Sequence, residues 1–79
     1  MSFDKLRTYI LENEFKLVYL NNKVNIVNYS DIGHFDNNKI IVYNSKQIIT
    51  INGHNLVISK LLKDELLIEG KIERIDIHE

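Results

Sequence analysis

Apolar and polar residues alternate along most of the chain beyond residue 14. From Ile48 to Glu79, isoleucine and leucine recur at every second position, with small turn residues between them. A period of two places alternate side chains on opposite faces of a strand, so it indicates half-buried β-structure. Phe15–Leu20 and Lys23–Val27 alternate in the same way, and Asn21-Asn22 between them tolerate positive φ angles. These segments predict a tight β-hairpin.

The first fourteen residues follow a different spacing. Between Ser2 and Glu14, apolar residues fall three or four positions apart, which is the spacing of one helix face. Ser2 can cap such a helix, and Asp4 lies near the positive end of its dipole. The segment predicts a short amphipathic helix of about three turns, held by packing more than by propensity. Its apolar face consists of Phe3, Leu6, Ile10 and Leu11.

Glycine and asparagine divide the central region into short elements. Asn28–Asn38 is irregular, and Gly33 is the expected turn within it. A further reversal is predicted at Gly53, which follows an asparagine. The intervening and following pattern predicts strands over Lys39–Asn44, Gln47–Ile51, Leu56–Leu62 and Leu66–Ile72, with turns at Ser45-Lys46 and Lys63–Glu65.

The alternation changes phase near the carboxyl end. Leu66, Ile68 and Ile72 occupy even positions, whereas Ile75 and Ile77 occupy odd ones. A shift of one residue moves every apolar side chain to the other face, so a bulge or a tight turn at Glu73-Arg74 is expected to return both isoleucines to the core.

The fold class that follows is mainly β in one domain spanning residues 1–79, with a helix over 1–14 and a sheet over 15–79. Closely spaced short strands favour an antiparallel meander that forms a small roll, partial barrel or sandwich, because parallel pairing needs longer crossovers. Apolar triplets that recur every nine or ten residues, such as Leu56–Ile58 and Leu66–Ile68, leave a short β-solenoid as the alternative.

Composition excludes several classes of function. Ten basic and eleven acidic side chains interleave to a net charge of −1, which disfavours a nucleic-acid-binding face. There is no cysteine, and no apolar run approaches the roughly 20 residues of a membrane-spanning helix. The polar start of the chain does not resemble a signal peptide. A cytoplasmic location is therefore expected.

Candidate catalytic and metal-binding residues are few. His34 with Asp36, and Asp76 with His78, share a strand face and could each offer two ligands to an ion. His54 is predicted to lie in a turn. Ser30, Asp31 and His34 supply the residue types of a nucleophilic triad, but three neighbouring loop residues lack the rigid scaffold that a triad needs. We expect no catalytic residue, no metal site and no cofactor.

Aromatic side chains offer a second class of function. Tyr19, Tyr29, Tyr43 and Phe35 with nearby lysines could stack on a ligand or on single-stranded nucleic acid, as in a small binding barrel. Packing at the core and its rim is the simpler interpretation of these rings. The residues expected to matter at turns or on the surface are Asn28, Gly33, Gly53, Asn55 and Gly70.

Two carboxyl-terminal segments carry a family resemblance. ITINGHNLVISKL (Ile49–Leu61) and LLIEGKIERIDI (Leu66–Ile77) are similar to the end of the YabP/YqfC family of sporulation proteins from endospore-forming Firmicutes. IVNYSDI (Ile26–Ile32) resembles an upstream segment in which the family usually has asparagine followed by histidine. Here Tyr29 stands in place of that histidine, and Ser45-Lys46 replace an expected glycine.

The resemblance implies a role in the sporulation programme, in the mother-cell compartment, with no catalytic activity to transfer. Together with the predicted sheet, it suggests a non-enzymatic structural or protein-interaction component. A small sheet leaves unpaired backbone groups at its edges, which can bind another strand. The expected partner is therefore another protein, or a second copy of this chain, at a sheet face or edge strand.

Overall fold

The computed structural model describes residues 15–79, which form six β-strands and no helix. The helix predicted over residues 1–14 lies outside the described residues. Mainly β structure is confirmed for the rest. The strands are β1 (Lys16–Leu20), β2 (Lys23–Val27), β3 (Asp31–Phe35), β4 (Lys39–Tyr43), β5 (Ile48–Leu61) and β6 (Glu65–His78).

All neighbouring strands are antiparallel, in the order β1-β2-β6-β5-β4-β3. The antiparallel prediction is therefore confirmed, and the described residues contain none of the parallel rungs that a β-solenoid requires. Strands β3 to β6 form the predicted meander. The β1–β2 hairpin joins the other side of β6, because pairing with β6 places its apolar positions beside those of the longer strand.

The long β5–β6 hairpin organises the sheet, and each short hairpin pairs with a different half of it. β2 pairs with the first part of β6, whereas β4 pairs with the first part of β5. The sheet curls so that inner-face side chains from both halves form one core. The buried members are Val24, Ile26, Ile40, Val42, Ile49, Ile51, Leu56, Leu66 and Ile68.

The curl coincides with bulges in the two long strands. Glu73 is an extra residue in β6 between the pairs Asn52–Arg74 and Gly53–Ile72. The predicted bulge at the phase change is therefore confirmed. Ile75 returns to pack against the core, whereas Ile77 remains half exposed because it lies near the end of the strand.

The reversals predicted at Gly53 and Gly33 are wrong, because both glycines lie inside strands. The backbone oxygen of Lys71 would lie only 2.0 Å from a Cβ at Gly53, so glycine permits a close strand approach there. Gly33 is the extra residue of a bulge in β3, and the ring of Tyr43 covers it. Both glycines therefore mark irregular positions within strands instead of turns.

The predicted turn at Asn21-Asn22 is confirmed. Both residues have positive φ angles, 52° and 60°, which are the signs that a two-residue type I′ hairpin requires. The turn at Ser45-Lys46 is confirmed as well, and Asn44 closes it. The Oδ1 atom of Asn44 accepts hydrogen bonds from the backbone amides of Lys46 and Gln47 at 2.7 Å each.

Candidate functional site

His34 and Asp36 are brought together at the end of β3. The Nε2 atom of His34 lies 2.8 Å from Oδ2 of Asp36, and the two side chains are 48% and 53% exposed. The other carboxylate oxygen accepts the backbone amides of Asn38 and Lys39 at 2.8 Å each. The His34 hydrogen bond, followed by those two amides, lowers the pKa of Asp36 to about 2. This carboxylate therefore closes the β3–β4 loop.

The remaining histidines are also solvent-exposed. His54 Nε2 lies 3.1 Å from Glu73 Oε2, across the bend of the long hairpin. Asp76 accepts a 2.9 Å hydrogen bond from Arg74 instead of forming a joint site with His78. Within residues 15–79, no three histidine, cysteine or acidic side chains come close enough together to hold a metal ion.

The residues of the triad hypothesis have separate roles. Asp31 accepts the backbone amide of Ile32 at 2.8 Å, and the carboxylate partner of His34 is Asp36. Asp31 therefore does not orient the imidazole. Glu65 accepts a 3.1 Å hydrogen bond from the side-chain amide of Asn25 and lies 3.4 Å from the Nζ atom of Lys60. The hydrogen bond from Asn25, followed by the charge of Lys60, lowers the pKa of Glu65.

The aromatic residues are distributed over different strands and faces. Tyr19 and Phe35 are about half exposed and lie on the two outermost strands, β1 and β3. Phe35 is opposite the buried Ile40, whereas Tyr43 lies on the other face of β4, over Gly33. Tyr29 is half-buried, and its hydroxyl donates a 2.6 Å hydrogen bond to the carbonyl of Leu62. These rings pack at the rim of the sheet.

One end of the molecule has an open basin of about 1000 Å³, which we call the end basin. It lies where the β2–β3, β4–β5 and β5–β6 connections meet. Lys46 and Lys63 contribute positive charge, while Asp64 and Glu79 contribute negative charge. The mixture does not favour a polyanion, in agreement with the charge pattern of the sequence.

Three of the expected structural residues control the backbone. Asn28 follows β2 with a φ of 66°, and its amide donates a 2.6 Å hydrogen bond to the carbonyl of Asp64. Asn55 has a φ of 55° in the bulge of β5, directly opposite Gly70, whose φ is 143°. A Cβ at Gly70 would lie 2.7 Å from the Asn55 carbonyl oxygen. Asn55 and Gly70 thus allow the long strands to bend.

Four stretches of strand have an edge without a neighbouring strand among residues 15–79. They are the outer edges of β1 and β3, β5 beyond Leu56, and β6 beyond Ile72. Bulges interrupt two of them, at Gly33 in β3 and Ser59 in β5, whereas the bulge at Glu73 lies at the start of the open stretch of β6, and Arg74–His78 beyond it keep a continuous register with β5. Bulges at an edge prevent pairing with further strands.

The edge of β1 also keeps an unbroken register with its neighbour, and it is mostly apolar, whereas Arg74–His78 of β6 carries Arg74, Asp76 and His78. The closing pair of β1 and β2, Leu20 and Lys23, flanks a two-residue turn, so alternate residues from Leu20 bond to β2. The amide and carbonyl groups of Leu17 and Tyr19 therefore point outward. We call this backbone row the β1 edge. The sequence predicts an interface at a sheet face or an edge strand and does not distinguish among the edges. The signal was KLVYL, an apolar strand free of glycine and acidic residues.

The described residues contain no helix long and apolar enough to cross a bilayer. Neither the comparison with curated proteins nor that with solved structures finds a match. A family model described as "YabP family" matches residues 12–79, which include all six strands. The match confirms the family suggested by the segments around Asn55 and Gly70. The chain therefore belongs to the YabP family, a sporulation-associated family.

Proposed function

We propose that this protein is a non-enzymatic structural or protein-interaction component of the endospore formation programme, acting through its β-sheet. Family membership supports the sporulation role. The observation that carries the interaction role is the regular, apolar and open edge of β1. In contrast, every buried side chain of residues 15–79 is aliphatic, so the core offers no reactive group. Within residues 15–79, the polar side-chain pairs are exposed or half-buried, and they close loops or join strands.

The arrangement of the polar pairs supports a role without catalysis. Catalytic groups are usually held in a desolvated cleft that shifts their pKa values toward the working pH. Asp36, by contrast, is exposed, and its pKa is lowered to about 2 by hydrogen bonds. It acts as a stable hydrogen-bond acceptor for the loop that contains it.

Complementation of a deletion strain tests the two parts of the proposal. Deleting the gene from the organism that carries it is expected to reduce the yield of heat-resistant spores. A triple variant, His34→Ala with His54→Ala and His78→Ala, should restore spore yield if the imidazoles perform no chemistry. Restoration by the native gene but not by this variant, with both proteins folded and equally abundant, would contradict a non-enzymatic role.

The compartment forms a separate part of the proposal. We propose a location in the mother-cell cytoplasm, which the family resemblance supports. A fluorescent fusion, expressed from the native promoter, should appear in the mother cell after the asymmetric septum forms. Fluorescence confined to the forespore would contradict this assignment without affecting the interaction role.

A further inference from the structure

We propose that the β1 edge binds the β1 edge of a second copy of the same chain, joining two sheets into one across a two-fold axis at Val18. This inference deepens the proposed function, on which it rests, by naming the partner of the sheet. Its first support is the regular register of β1, which can continue a ladder where the bulged edges of β3 and β5 cannot, without the charged side chains that Arg74 and Asp76 place on the regular edge of β6.

The two outermost strands differ in what their outward amides bind. On β3, the amide of Ile32 donates to the carboxylate of Asp31 at 2.8 Å, so a side chain already satisfies it. On β1, no side chain of residues 15–79 accepts the amide of Leu17 or Tyr19. Backbone donors of an edge strand remain available to another strand when nothing nearer binds them.

The exposed side chains of β1 are apolar and provide area for the contact. Val18, Tyr19 and Leu20 are 48%, 50% and 65% exposed, and Lys16 is the only charged residue of the strand. Natural edge strands usually carry charges, bulges or proline that prevent association. With one charge at its end and with no bulge or proline, β1 has few of the features that prevent pairing.

The strand is complementary to itself in the antiparallel orientation. With Val18 on the axis, Leu17 faces Tyr19 of the second copy, and their outward amides and carbonyls can form two reciprocal pairs of hydrogen bonds. Lys16 then faces the partner's Leu20, so no like charges are opposed. Aliphatic–aromatic pairs of this kind stabilise antiparallel sheets. Since the β3 and β5 edges are bulged and the β6 edge carries charges, β1 itself is the best match among the strands of residues 15–79.

Cysteine cross-linking tests this register directly, because the chain contains no cysteine of its own. At the axis, Val18 would face the partner's Val18 as a non-hydrogen-bonded pair, with Cα atoms about 4.5 Å apart, a separation that a disulfide spans. In the full chain, Val18→Cys should form a covalent dimer under mild oxidation at least about tenfold faster than a variant whose thiol does not face itself.

Two variants provide matched controls for thiol exposure. Val57→Cys replaces a side chain that is 52% exposed on β5, and Leu20→Cys replaces one that is 65% exposed on β1 but faces Lys16 in the proposed dimer. Both should cross-link slowly. Equal rates for all three variants, or a native chain that stays monomeric in sedimentation at every concentration, would overturn the proposal.

Charge variants at the same position supply an independent readout. Val18→Lys and Val18→Glu each place like charges on the axis, so each variant alone should sediment as a monomer. An equimolar mixture should form a heterodimer, because the opposed charges are then opposite in sign. No gain in association on mixing, with both variants folded by circular dichroism, would contradict pairing at Val18. These results in purified protein can fail while the spore-yield test succeeds, so the two proposals can be distinguished.

Discussion

The two short hairpins have the same position in the fold but end the sheet differently. Each pairs with one half of the β5–β6 hairpin and contributes buried aliphatic side chains to the shared core. β1–β2 turns through two asparagines and leaves a regular apolar edge. β3–β4 closes its loop with Asp36, has a bulge at Gly33 and covers it with Tyr43. One edge is protected, and the other remains competent to pair.

The comparison is meaningful only if both hairpins belong to one cooperative unit held by the long strands. Gly53→Ala is the substitution expected to destabilise that unit most. Its Cβ would lie 2.0 Å from the Lys71 backbone oxygen, which a rotamer change cannot relieve. We expect a loss of about 4 kcal/mol or more in unfolding free energy, enough to unfold a small domain at moderate temperature. Urea denaturation would measure it.

Gly33→Ala is the matched control for this substitution. The added methyl group would meet the Tyr43 ring, at 2.3 Å, and this ring is at the end of a side chain that can rotate away. We expect a loss of about 1 kcal/mol, chiefly from displaced packing. If the two variants were equally stable, the close strand contact at Gly53 would not be the structural requirement that the fold assigns to it.

Removing a buried side chain from each hairpin compares their contributions to the core. Ile26 in β2 and Ile40 in β4 are fully buried, so truncation of either to alanine removes contacts and creates a cavity. Each variant should lose about 3 kcal/mol of unfolding free energy in a single transition. Two separate transitions in either variant would show that the hairpins are independent units and would break the comparison.

The turn of β1–β2 can be tested with a pair of adjacent variants. Asn21→Ala should cost about 1 kcal/mol, because alanine resists the left-handed φ of 52°. Asn22→Ala should cost about 2 kcal/mol, since its Oδ1 atom also accepts the amide of Ile72 at 3.3 Å. The difference between the two, measured by thermal and urea unfolding, reports that hydrogen bond. Equal losses would mean that it contributes nothing.

The sheet was largely predictable from sequence, because alternation fixes which residues face the core. Residues such as Val24, Ile26 and Ile68 are buried as their pattern indicated. Strand order was not predictable, since any apolar edge could have accepted the β1–β2 hairpin. Gly33 and Gly53 lie in strands and not at the predicted turns, because close strand approaches and turns require the same small residue.

The candidate site was only partly predictable, because local spacing can be read from the sequence but the pairing of strands cannot. The His34–Asp36 contact follows from the two-residue spacing along a strand, and the structure contains it. The distinction between a protected and an open edge depends on bulges and on side chains that bond edge amides. The bulge at Glu73 is indicated by a phase change in the sequence, whereas the alternation does not indicate the bulge at Ser59.

The pH dependence of the β3–β4 loop gives the smallest expected effect. The folded-state pKa of Asp36, about 2, is below its ordinary value of 3.8. The ionised carboxylate therefore stabilises the loop above about pH 4, and this contribution is lost as the pH falls through 2. Asp36→Ala should be less stable than the native chain at pH 6, and the difference should diminish between pH 4 and pH 2.

Carboxyl-carbon NMR of the native chain and of His34→Ala separates the causes of this shift. Because the hydrogen bond with His34 is the largest cause, its removal should raise the pKa of Asp36 toward the ordinary value. The amides of Asn38 and Lys39 should still keep it below that value. An unchanged Asp36 pKa in the variant would mean that the backbone amides alone lower this pKa and that His34 does not contribute.

Hydrogen exchange of the edge amides, followed over a range of protein concentrations, tests the central claim most directly. If β1 is the open and self-pairing edge, the amides of Leu17 and Tyr19 should exchange rapidly in dilute solution and become protected as concentration rises. The amide of Val18, which bonds to β2, should be protected throughout, and the β3 amide of Ile32, which donates to Asp31, should show no dependence on concentration. Exchange at Leu17 and Tyr19 that is independent of concentration, whether fast or slow, would contradict the account.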